Sequence, residues 1–249
     1  QNYDRKRTIA FPGDPKPFES FKKRPDQEKQ RYDMLHGHMP YGLHRWMPRA
    51  CRYFTLLREP VARYFSDYFF AFDYPPHNLH GQIVSGELTV EGYARLPETQ
   101  PYFDNTMTQY LSGELFERPT RRTLGRAKDI LAKEMDTFGI SERFDESLLL
   151  IARSFKWQRP FYISKNISKQ GVHDVPEEVR KLCRELQKLD MELYEFGKAL
   201  FEERVEREGE NLREALIALR DVESYLHKNY DRERHRIYTV GDGVVPELK

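Results

Sequence analysis

The chain has 249 residues, enough for one sizeable domain or two small ones, and its 39% hydrophobic and 13% aromatic content excludes a disordered polymer. Lys and Arg number 41 against 40 for Asp and Glu, a formal charge of +1 that excludes a global pull toward nucleic acid or acidic membrane. Any anion site must therefore be local. The two cysteines, Cys51 and Cys183, are too few for a disulfide framework and too far apart for a spaced zinc motif. No run reaches the roughly 18 apolar residues of a spanning helix. The opening QNYDRKRTIAFPGDPKPF lacks an apolar signal core, so the expectation is a soluble cytoplasmic protein without a membrane span.

In chain order, RTIAF reads as a short strand, PGDPKPFESF as a Pro/Gly turn and KKRPDQEKQR as a solvated connector. YDMLHGH follows as an extended segment. RYFTLLR, Arg52 to Arg58, is the clearest strand, a short apolar run suited to burial on both faces. Pro60 then opens a helix, where its missing N–H is not needed. Val61, Tyr64, Phe65, Tyr68, Phe69 and Phe72 form that helix's core stripe. Thr89 is placed to cap a short helix, and Leu124, Ala127, Ile130 and Leu131 mark another. DTFGI is strand-sized, and Asp145 is placed to cap ESLLLIARSF. This alternation predicts an α/β layer with a mainly parallel sheet.

Late in the chain, Val179, Leu182, Leu186, Leu189, Leu193, Phe196 and Leu200 step by three and four, opened by Pro176 and the acidic Glu177 and Glu178. A further helix with Leu212, Leu216, Leu219, Val222 and Leu226 follows Gly209. The expectation is a single domain over 1–249, with 176–230 as helical cover and 231–249 as a polar tail. A homo-oligomeric coil through the late helices is the other use of the seam.

Three histidines fall within LHGHMPYGLH. His36 and His38 are one residue apart, so on an extended segment both face the same side. With His44 they invite three readings: a zinc site, a catalytic base with helpers, or structural imidazoles bonded to backbone. Arg58 ends the predicted central strand, where open α/β sheets bind ligands. Arg63 and Ser66 follow on the next helix. Guanidinium and hydroxyl donors beside a helix N-terminus suit a phosphate, whereas pairing of Arg58 with Glu59 or Asp67 would make the group structural.

Arg58, Pro60, Arg63, Ser66 and Tyr68, read as RxPxxRxxSxY, resemble the 3′-phosphate-binding element of sulfotransferases. HGHMPYGLH resembles the histidine segment of the heparan sulfate 2-O-sulfotransferase-like family and its bacterial relatives. DNTMTQYLSG, TFGISERFDESLLL and LDMELYEFGKALFEE fall in that family's order, so the resemblance runs from about Thr8 to about Glu203. It implies a P-loop-containing nucleoside-triphosphate-hydrolase-like sulfotransferase fold. It also implies transfer of a sulfonate from 3′-phosphoadenosine-5′-phosphosulfate to a small-molecule or saccharide hydroxyl, without metal. By family position His38 is the expected base, with His36 beside it and His44 a lesser candidate near the acceptor. Lys165, Asn166 and Ser168 in YISKNISK correspond to a loop closing over the donor, or to a solvated loop. Asn105 and Gln109, one helical turn apart, face the acceptor or serve as cap and surface residues.

The family's glycine-rich P-K-x-G-G-T loop has no counterpart here. FPGDPKPFES has a PK pair but lacks the paired glycines, and its prolines remove amide donors that an anion cradle needs. The sequence resembles the family from after its first helix onward. Two functions of different class follow: a sulfotransferase whose loop lies outside these residues, or a noncatalytic nucleotide-binding or interaction protein on the same scaffold.

Overall fold

The computed structural model describes residues 5–11, 15–158, 160–162, 171–231 and 236–237. Strand β1 (Thr8–Phe11) pairs in parallel with β2 (Met34–Gly37), Phe11 lying opposite Gly37. Parallel neighbours require a crossover. The stretch expected as turn and connector supplies it through α1 (Pro15–Lys22) and α2 (Asp26–Lys29). The cause is aromatic: Phe18 and Phe21, three apart on α1, are both buried and meet Phe11 edge-on at 5.8 and 5.5 Å.

A second parallel pair joins β3 (Phe54–Leu57) to β4 (Thr137–Ile140), with Phe54 opposite Thr137 and Leu57 opposite Ile140. In place of the single central sheet expected, the described residues thus form two parallel pairs. A two-residue antiparallel ribbon, Tyr230–Asp231 with Arg236–Ile237, lies late in the chain. Burial also differs from expectation. All four positions of β4 are buried, but on β3 Leu57 is buried while Leu56 is 39% exposed, because β3 borders a cavity described below.

Helix α3 (Pro60–Asp73) begins at Pro60 as expected, and the Glu59 carboxylate caps it by accepting the Ala62 N–H at 2.6 Å. Val61, Tyr64, Phe65 and Phe69 are buried, whereas Phe72 faces solvent. They pack with α4 (His80–Val84), α5 (Val90–Ala94) and α6 (Leu96–Thr99); Thr89 caps α5 through the Gly92 N–H at 3.1 Å. Next come α7 (Thr106–Ser112), α8 (Arg121–Asp129), which runs into a wide π turn at Ile130–Glu134, and α9 (Phe144–Phe155). Asp145 sits inside the first turn of α9 instead of capping it. Its carboxylate accepts the Tyr162 hydroxyl at 2.9 Å and faces Arg220 at 3.7 Å.

The leucine seam divides between two helices. Helix α10 (Glu177–Leu186) ends at Gln187, and α11 (Lys188–Asn229) is itself interrupted at Gly209. Val179 and Cys183 pack against α3, while Leu189, Leu193 and Phe201 pack with Leu57, Phe138 and Ile140. The seam is therefore used inside the chain, as cover for the second strand pair. Gly197 permits the close approach, since a Cβ there would lie 2.4 Å from Leu57 Cδ1. Most of the 231–249 tail lies outside the described residues.

A buried polar knot joins these parts. Asp190, 1% exposed, accepts the Met107 and Thr108 N–H groups at 2.9 and 2.8 Å and the Thr108 hydroxyl at 2.7 Å. Burial raises its carboxyl above the usual range, while the Arg63 charge and these bonds oppose the rise. Replacing Asp190 with Ala strands three buried donors and should cost about 3 kcal/mol or more in urea unfolding, with Asp190→Asn costing less.

Farther along α11, burial and then the Asp145 charge raise the Glu223 carboxyl to about 7. The folded chain thus holds this proton more tightly than the unfolded chain does. Stability falls as pH rises from the ordinary 4.5 to about 7, and the penalty persists above that window. Glu223→Gln should raise the melting temperature more near pH ~8 than near pH ~5; equal effects at both would assign the shift elsewhere.

Candidate active site

The two strand pairs border a cavity of about 760 Å³. Consecutive residues of both inner strands line it, Leu35 and His36 from β2 and Phe54, Thr55 and Leu56 from β3. Successive strand residues point to opposite faces, so the cavity follows the unpaired edges of β2 and β3 and not one face of a sheet. Tyr41, Tyr53 and Tyr110 add to its wall. Burial pushes the Tyr53 phenol up to about 12.

Gly37 ends β2 at φ +113, and a Cβ there would stand 2.2 Å from the Phe11 carbonyl oxygen. That same oxygen accepts the His38 N–H at 2.9 Å. The left-handed turn breaks the strand alternation, so the expectation that His36 and His38 share one face is corrected: it assumed an extended residue between them. His36 borders the cavity. His38 is exposed just beyond it, its ring edge-on to Tyr110 with centroids 6.5 Å apart.

Tyr110, on α7, is the residue the sequence reading missed. Its phenol is raised by burial and by Tyr102 and lowered by the charge of Arg63. Tyr110 is thus a ring neighbour of His38 that also feels the Arg63 charge. Its carbonyl accepts the Tyr41 N–H at 2.7 Å, which fastens the histidine loop to α7.

His44 is committed elsewhere. Its Nδ1 lies 2.9 Å from the Tyr53 hydroxyl, and its own N–H donates to that oxygen at 2.8 Å. This bond pins the loop's first turn, so His44 takes the structural role among those considered. Among the described residues no three metal-ligating side chains converge, which the zinc reading of His36, His38 and His44 would require.

Arg58 follows directly on the carboxyl end of β3. Among the described residues it has no hydrogen bond or ion pair, and neither does the Ser66 hydroxyl. The acidic neighbours considered for Arg58 are otherwise engaged: Glu59 caps α3, and Asp67 accepts the Tyr93 hydroxyl at 2.6 Å. Glu59 also occupies the helix start that was expected to favour an anion, so the dipole is already answered there. Arg63, expected as a phosphate ligand, is half-buried; its charge is felt by buried Asp190 and by Tyr64, Tyr93 and Tyr110, and its side chain has no hydrogen bond or ion pair among the described residues.

Asn105 and Gln109 are corrected as acceptor residues, because both are buried with their amides consumed. Asn105 donates to the Leu186 carbonyl and Asp104 carboxylate, and accepts the Asp190 N–H at 2.9 Å. Gln109 donates to the Pro101 and Asp104 carbonyls and accepts the Phe116 N–H. Lys165, Asn166 and Ser168 lie outside the described residues.

With this geometry in place, the relatives become informative. The sequence profile of galactose-3-O-sulfotransferases matches residues 15–236. The chain belongs to the galactose-3-O-sulfotransferase family. It is 29% identical over 203 residues to mouse galactose-3-O-sulfotransferase 3, covering 73% of this chain and 47% of that protein. Against human galactose-3-O-sulfotransferase 3 it is 28% identical over 191 residues, covering 70% and 44%. Against heparan-sulfate 6-O-sulfotransferase 1 of Cricetulus griseus it is 27% identical over 200 residues, covering 66% and 47%. The chain spans about half the length of the curated relatives it matches.

These relatives refine the resemblance from 2-O-sulfotransferases to the galactose-3-O and heparan-sulfate 6-O enzymes. They also overturn the cytoplasmic expectation. That expectation rested on the missing apolar signal core, and a segment of the chain cannot report on a whole protein's leader. No helix among the described residues is long and apolar enough to cross a membrane.

The Gly37 turn sets the position of His38. Gly37→Ala should lower unfolding stability by about 2 kcal/mol or more, through both the positive φ and the carbonyl clash. Denaturant titration measures the loss, and a neutral result would show that the turn can be relieved.

Proposed function

We propose that this chain carries the transfer site of a saccharide sulfotransferase, with His38 as general base and Arg58 and Ser66 as ligands of the donor 3′-phosphoadenosine-5′-phosphosulfate. The observation that carries the reading is a cation and a hydroxyl after β3 whose side chains have no partner among the described residues, with an exposed imidazole after β2 of the other strand pair. Both inner strands border the same cavity. In parallel sheets, ligands bind beyond the carboxyl ends of the strands, which is where His38 and Arg58 stand.

The donor's fit is tested by chemistry. A guanidinium that is half-buried and has no side-chain partner among the described residues calls for an anion, and a planar fork matches phosphate oxygens better than a point charge does. When bound, the donor would supply an activated sulfonate group. His38 would accept the acceptor hydroxyl's proton as that oxygen becomes bonded to sulfur, while the bond from sulfur to the 5′-phosphate oxygen breaks and adenosine 3′,5′-bisphosphate leaves. Arg58 would hold negative charge on the nucleotide in place, and Tyr110 would fix the imidazole's orientation through ring contact. Arg63 would serve as counter-charge to Asp190, keeping α7 and therefore Tyr110 in register.

The P-loop-like classification belongs to the same proposal. The open edges of β2 and β3 flank a cavity long enough to be followed by successive residues of each, and one further parallel strand between them would unite the two pairs into one sheet. Relatives that act on galactose and heparan sulfate by their names support a saccharide acceptor.

Adenosine 3′,5′-bisphosphate should raise the melting temperature of the chain, and Arg58→Ala should abolish the rise. Unchanged melting of the unaltered chain would overturn the donor assignment. In the whole protein, His38→Ala should lower sulfonate transfer by about 10²- to 10⁴-fold while leaving the nucleotide's thermal shift intact. Full activity in that variant would favour the noncatalytic reading.

A further inference from the structure

Phe116 is a bulky residue held at φ +67, a conformation that strains an L-side chain of its size. It gains little burial in return, since it is 52% exposed. The buried Gln109 holds it there, accepting the Phe116 N–H at 2.9 Å while its Nε2 grips the carbonyls of Pro101 and Asp104, each at 2.6 Å. A buried amide thus fastens two loops so that one aromatic ring projects into solvent.

That ring stacks on Tyr102, itself 37% exposed, with centroids 5.9 Å apart and planes 22° from parallel. Tyr102 also acts electrostatically on the Tyr110 phenol, and the Tyr110 ring meets His38 edge-on. The platform thus lies on the side of α7 that bears the imidazole's ring neighbour. Beside the platform in sequence is a polar groove of about 290 Å³ bordered by Glu114, Glu117, Arg118, Thr120 and Arg122. Both signs of charge line it; Thr120 and Glu114 are bonded to Thr123 and Arg118 to the Glu98 carbonyl, which leaves Glu117 and Arg122 as acceptor and donor without a partner among the described residues.

From these features we infer that Tyr102 and Phe116 form a stacking platform for a neutral hexopyranose ring of the acceptor, with the groove receiving its hydroxyls. The inference rests on the transfer-site reading above and adds the acceptor's place in it. A pyranose presents an apolar C–H face and a polar rim, which match an aromatic plane next to mixed hydrogen-bonding groups. Another exposed stacked pair, Phe70 and Tyr74, has centroids 5.1 Å apart on and just after α3. Its ring neighbour is His77, and among the described residues no ring contact leads from it toward His38.

The probe is lactose, whose binding to the 249-residue chain is followed by saturation-transfer NMR. Phe116→Gly removes the ring while relieving the positive φ, so this variant should melt no lower than the unaltered chain yet bind lactose at least about tenfold more weakly. Tyr102→Ala should weaken binding comparably, and Phe70→Ala should leave it unchanged. Undiminished binding in Phe116→Gly, equal loss in Phe70→Ala, or no lactose binding by the unaltered chain would overturn the platform. Nucleotide stabilisation dependent on Arg58 is measured on the same samples. If it persists while the lactose result fails, the platform falls and the transfer site stands; if it alone fails, the donor assignment falls.

Discussion

The structure turns on one buried carboxylate. Asp190 opens the long α11 and closes onto the first turn of α7, satisfying two backbone donors and a hydroxyl that burial would otherwise leave without water. Asn105 and Gln187 complete the knot, each reaching across from the opposite segment. The charge is tolerable because Arg63 lies within electrostatic reach and the hydrogen bonds favour the ionised form. Without the knot, α7 would lose its anchor to the helical cover, and Tyr110 would lose its fixed position beside His38.

The site is accordingly assembled from elements far apart in sequence. The histidine turn hangs from β2 through the Phe11 carbonyl, the guanidinium follows β3, and the aromatic residue edge-on to His38 comes from α7. Local chain geometry does much of the positioning. Gly37 turns the backbone, Pro60 and Glu59 start α3, and the Tyr53 hydroxyl secures the loop through His44. Each device is small, but each fixes a different rigid element.

Much of the fold was legible because hydrophobic period reports local structure. Strands β1 to β4 and helices α3, α8, α9 and α10 all lie where alternation or a three-to-four step marks them. Helix α1 was hidden by its prolines and charges, since Phe18 and Phe21 become a signal only when Phe11 is known to face them. The division into two strand pairs was illegible because pairing is non-local, and no periodicity in β3 tells which of its edges is open. Arg58 and Ser66 were singled out by residue type and spacing, and their want of a partner is a property of the folded chain. Asn105 and Gln109 show the opposite case. Their amide chemistry suggested ligand contact, but Gln187 and Asp190, more than eighty positions after Asn105, share the knot. Tyr110, Tyr102 and Phe116 were three among 15 tyrosines and 16 phenylalanines, with nothing in the letters to show exposure or the sign of φ.

The two thiols differ in access, and this gives the chain a built-in handle. Burial raises both, but Cys183 is sealed against α3 and raised to about 12, whereas Cys51 is only half-buried on the wall of the cavity between the strand pairs. A maleimide fluorophore should therefore attach at one defined place in the native chain without any engineered substitution. Its emission would then report on whatever enters or fills the space between the two inner strands.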